Sequence, residues 1–121
     1  MKRTAMVLLL VLASGPATAG NWSPADNVIY NLGSGYAFSS LCALNGFADP
    51  KKVAQLGNLY GEVLTEEAME RFKHQYQKAL HEKRMYSIYK DRCYKFKVGE
   101  TECSTINNAI EMALEILRNK T

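Results

Sequence analysis

Residues 45–67 read "NGFADPKKVAQLGNLYGEVLTEE", and the punctuation of this stretch decides the fold class. Asn45-Gly46 is a helix stop, Asp49 a cap residue, and Pro50 stands in a first helical turn, where its missing N–H is not needed. Val53, Leu56, Leu59, Tyr60 and Val63 recur at the three-to-four spacing of one helix face. Thr65 caps another helix, and Glu66 and Glu67 sit where the positive end of its dipole favours acid. One helix therefore ends here, a second is complete, and a third begins.

Upstream, Ser23-Pro24 reads as a cap followed by a first-turn proline. Val28, Ile29, Leu32, Tyr36, Phe38, Leu41, Cys42 and Leu44 carry the helix to about Asn45. "GSG" at 33–35 weakens it, each glycine costing about 1 kcal/mol against alanine, so a kink or two shorter helices is the alternative to one helix. Downstream, the third helix shows Met69, Phe72, Tyr76, Ala79 and Leu80. Its phase continues after a small shift through Met85, Ile88, Tyr89 and Cys93, with a bend near Lys83. Tyr94, Phe96 and Val98 then alternate with other residues as a strand would. One strand lacks a partner, so an extended loop laid on the core is expected. The last helix runs from about Ser104 to Asn119 on Ile106, Ile110, Ala113, Leu114 and Leu117. The expectation is a small all-α bundle of four to five helices, braced by one disulfide.

The first nineteen residues carry Lys2 and Arg3, an apolar run from Ala5 to Ala13, Gly15-Pro16, and small residues at Ala17 and Ala19. That is the pattern of a secretory signal peptide. The run is about half of what spans a bilayer, so no stable membrane span is expected after cleavage. Residues 20–121 then form a single exported domain, periplasmic or secreted. Fifteen basic residues less Lys2 and Arg3 leave thirteen against twelve acidic ones, so the net charge of +3 falls to +1. Such a chain carries no electrostatic footprint for nucleic acid.

Export places three cysteines in an oxidising compartment, and an odd count leaves one outside any single intrachain bridge. Cys93 and Cys103 flank one connection, and a bridge between them would remove about 2.8 kcal/mol of unfolded-chain entropy; a Cys42–Cys103 bridge would remove about 4.3. Geometry rather than entropy decides. It favours Cys93–Cys103, with Cys42 a small hydrophobe on an apolar helix face; Cys42–Cys103 is the alternative.

Other constellations point away from chemistry. Arg92 and Lys95 would lower the thiol pKa of Cys93, as a cysteine-dependent enzyme requires. No catalytic signature surrounds any cysteine, so no catalytic residue and no enzyme is expected. His74 and His81 share a helix face but stand about 10.5 Å apart along it, too far to share an ion unaided. Glu70 and His74 offer two ligands at most, so neither metal nor cofactor is expected. "KDRCYKFK" at 90–97 mixes four cations with two aromatics and reads as a wetted surface of lysine stems. Arg84, Tyr86, Tyr89, Arg92 and Tyr94 nevertheless form the residue mix enriched at protein-interface anchors, and they are the candidate partner-binding set.

"FSSLCALNGFADPKKVA" at 38–54, with "CSTINNAIEMA" at 103–113, resembles the small periplasmic immunity proteins that neutralise type VI secretion amidase effectors. The resemblance implies a signal-bearing, all-helical and often dimeric protein that plugs a partner's active-site groove. It also implies the Cys42–Cys103 pairing. A second, shorter likeness joins "YKDRC" and "ECSTINNAIEMA" to the periplasmic part of T-even phage antiholins. It implies a lysis regulator that binds a holin. The leading expectation is an exported protein-binding module, an inhibitor or immunity protein for a peptidoglycan-amidase-type effector. A small-ligand carrier is a further alternative.

Overall fold

A computed structural model describes residues 20–87 and 92–120. Among these residues the elements are α1 (Asp26–Leu44), α2 (Pro50–Val63), α3 (Glu66–Glu82), β1 (Arg84–Ser87), β2 (Arg92–Lys95) and α4 (Glu100–Lys120). Four helices make the body, a small all-α bundle. α1 packs chiefly on α3 and α4 on α2, while α1 also touches α2 and α4.

Two of the three expected N-caps act as the residue types require; Ser23-Pro24 does not, because α1 starts at Asp26 behind Ala25, which makes no side-chain cap. The Asp49 carboxylate accepts from the Lys51 N–H at 2.9 Å, ahead of a helix that starts with Pro50. The Thr65 hydroxyl oxygen accepts from the Ala68 N–H at 3.1 Å. Only Leu64 and Thr65 separate α2 from α3.

The core joins all four helices. Tyr36 of α1 lies against Tyr60 of α2 and against Phe72 and Tyr76 of α3, with ring centroids 6.1, 5.8 and 5.2 Å away. From α4 come Ile106, Ile110, Leu114 and Leu117, all buried. Removing each such side chain from water contributes about 1.5–3 kcal/mol. Ser39 and Ser40, buried on α1, donate their hydroxyl protons to the Gly35 and Tyr36 carbonyls one turn back.

The structure settles one alternative and corrects two expectations. First, α1 runs unbroken for 19 residues through Gly33-Ser34-Gly35, as one helix to about Asn45. The glycine at 33 serves a close approach instead of a kink: a Cβ there would stand 2.8 Å from the Phe72 carbonyl oxygen and from Gln75 Cβ. Second, the third helix does not extend through Met85 and Cys93. It stops at Glu82 because Lys83 turns left-handed, with φ 55°. Third, the strand has a partner: β1 and β2 pair antiparallel, with Arg84 opposite Lys95, Met85 opposite Tyr94, Tyr86 opposite Cys93 and Ser87 opposite Arg92.

The favoured disulfide is corrected as well. Cys103 is bonded to Cys42, with Cα atoms 5.8 Å apart and both residues fully buried. The last turn of α1 meets the first turn of α4, so the two side chains face each other across a helix contact. Cys93 belongs instead to the hairpin ladder opposite Tyr86.

Candidate binding edge

Two features lie along the side of α1 that carries Phe38 and Cys42. The first is the loop between α1 and α2. Gly46, at φ 82°, donates its N–H to the Ala43 carbonyl at 3.2 Å, and Phe47 donates to Cys42 at 2.8 Å. This pair of bonds is a Schellman motif, which ends a helix with glycine in the left-handed region. The Asn107 side-chain amide on α4 donates to the Phe47 carbonyl at 2.9 Å. A disulfide, a helix cap on each side and a cross-helix hydrogen bond therefore fix five residues of loop.

That rigid loop presents Phe47, 39% exposed, beside a cavity of about 430 Å³. Asp49, Lys52, Asn107, Ile110 and Glu111 supply the rest of its wall that matters chemically. Lys52 pairs with Glu111 across it. The hydrogen bond and charge of that carboxylate raise the lysine's pKa above its ordinary value. An aromatic anchor flanked by one cation, one anion and an amide is suited to a protein surface, where apolar contact supplies energy and the polar rim supplies orientation.

The second feature is the β1–β2 hairpin. Its root is fixed by the Phe96 N–H donating to the Lys83 carbonyl at 2.7 Å. The Phe96 ring, buried, stacks on Phe38 at 4.4 Å. Phe38 stands six residues before the end of α1 at Leu44, so about 9 Å of helix separates the hairpin root from the Phe47 loop. The hairpin does not gather the candidate residues on one face: Arg84 and Tyr86 share a face of the ribbon with Lys95 and Cys93, whereas Arg92 and Tyr94 share the other with Ser87 and Met85. Arg84 is exposed. Tyr89 lies outside the described residues.

Phe47 and Asn107 were missed by sequence reading. Asn45-Gly46 marked the helix stop, and the residue after such a glycine is usually an apolar one that packs back on the helix. Phe47 leaves much of its ring in solvent, a property of tertiary position that no local pattern encodes.

His74 and His81 are both exposed on α3. Glu70 and His74 line a separate cavity of about 430 Å³ with Asp26, Ile29, Arg71 and Gln75. There the Arg71 guanidinium pairs with Asp26 at 2.9 Å and Glu67 at 3.1 Å. Among the described residues, no three histidine, cysteine or carboxylate side chains gather as metal ligands. No helix among them is long and apolar enough to cross a membrane.

The chain matches no family model, no curated protein and no solved structure. The two resemblances therefore rest on the residue patterns quoted above.

Proposed function

We propose that this is an exported protein-binding module, trimmed of residues 1–19 on export, which inhibits a cell-envelope effector of the peptidoglycan-amidase type. The rigid Phe47 loop is the part that enters the partner's groove, and one face of the hairpin, with Arg84 on its first strand, extends the contact. The observation that carries this reading is an exposed aromatic residue on a loop held at both ends, with its anchoring disulfide directly beneath. Preorganisation of that kind lowers the ordering cost of binding. A flexible loop would have to lose that freedom on contact.

Hydrogen exchange tests the assignment of the face. Mixed with a purified peptidoglycan amidase effector from the same cell envelope, the protein should gain protection at residues 46–49 and in the hairpin, while α3 around His74 stays unchanged. Protection centred on α3 instead would place the contact elsewhere and overturn the proposal.

A further inference from the structure

We infer that the mature chain begins at Gly20 and that its α-ammonium group is a structural ligand of the C-terminal end of α2. The Gly20 nitrogen donates to the Leu64 carbonyl at 3.1 Å. Trp22 donates to the Val63 carbonyl at 2.9 Å, and Thr65 donates back to the Trp22 carbonyl at 3.0 Å, so residues 20–22 form a strap parallel to the α2–α3 junction. α2 ends at Val63. The Gly20 nitrogen thus bonds to the carbonyl of Leu64, the cap residue just past the helix on extended backbone, and a Cβ built on Gly20 would meet the Glu62 and Val63 carbonyls of the last turn, the negative end of the helix dipole.

The site is selective for glycine. A Cβ built on Gly20 would overlap the Glu62 and Val63 carbonyl oxygens and stand 2.6 Å from the Val63 carbonyl carbon. A neutral amide nitrogen brings one proton to this group of carbonyls; an ammonium brings three and a full charge. An adjoining cavity of about 460 Å³, lined by Gly20, Asn21, Trp22, Glu62, Val63 and Lys120, leaves room for the protons not given to Leu64. Lys120 lies 4.5 Å over the Trp22 ring, which ties the strap to the end of α4. The reaction that makes the group is hydrolysis of the Ala19–Gly20 amide: water supplies the hydroxyl for the Ala19 carboxyl and the proton for the Gly20 amine. This inference is independent of what the protein binds.

Intact mass and N-terminal sequencing of the exported protein should give Gly20, and any other terminus overturns the inference. The Thr65 amide reports on the strap. Its hydrogen exchange should speed up roughly two- to fivefold in a chain that retains Ala19, where an amide replaces the ammonium, matching the usual worth of a charge at a helix end. Unchanged exchange would refute the role of the charge. Gly20→Ala should abolish the strap's protection of Thr65, and retained protection would refute the steric selection.

Discussion

Replacing Cys42 and Cys103 together by alanine removes a bridge that spans 61 residues of sequence. In the chain-entropy model, opening a loop of that length returns about 4 kcal/mol of disorder to the unfolded state. The total stability of a domain this size is about 5–15 kcal/mol, so the loss is a large fraction of it. For a domain of about 100 residues the same figure corresponds to a fall in Tm of roughly 16–30 °C. Urea unfolding followed by circular dichroism, with and without reductant, measures it. The oxidised wild type should lose about 4 kcal/mol on reduction, and the double variant should be insensitive to reductant. Cys93→Ala, which leaves the bridge intact, should keep the wild-type response. A shift below about 1 kcal/mol in the double variant, or loss of the reductant response in Cys93→Ala, would refute the assignment.

Three further outcomes follow from the aromatic core. Gly57→Ala should destabilise by about 1–3 kcal/mol in the same unfolding assay, because an added Cβ would strike the Tyr36 hydroxyl and stand 3.0 Å from its Cζ. Stability should also be level in mildly alkaline solution and fall steeply above pH 10. Burial raises the phenol pKa values of Tyr36, Tyr60 and Tyr76 above the ordinary 10.0. The unfolded chain therefore releases protons first, and each fully buried phenol removes about 1.4 kcal/mol per pH unit beyond that point. Tyr36→Phe should reduce this slope and raise stability near neutrality, since the Tyr36 hydroxyl is buried without a hydrogen-bond partner. A slope unchanged by Tyr36→Phe would contradict the burial argument.

The helical body was legible because its signals are local. Asp49-Pro50, Thr65 and Asn45-Gly46 name their roles in residue types that favour caps and stops, and the structure uses them so. The hairpin was not legible. Lys83 adopts a conformation that glycine or asparagine usually advertises, and Met85, Ile88, Tyr89 and Cys93 happen to continue a helical phase. Strand pairing is a long-range property, so the alternation at Tyr94, Phe96 and Val98 could not reveal that residues 84–87 face it. The disulfide failed for a related reason: closeness along the chain favoured Cys93, while helix packing placed Cys42 beside Cys103. At the candidate site, the arginines and tyrosines of the hairpin were readable from composition. The Phe47 loop was not, because its exposure and its brace from Asn107 arise only when α4 packs against the α1–α2 junction.

Titration of peptidoglycan hydrolysis decides whether a preformed loop carrying Phe47 inhibits an envelope amidase, as proposed. Increasing amounts of the oxidised, trimmed protein should suppress an effector amidase to completion near one equivalent, while Phe47→Asp, still folded, should need at least about tenfold more. Hydrolysis that continues undiminished at excess wild-type protein, or suppression that is equal for both proteins, would rule out inhibition through Phe47.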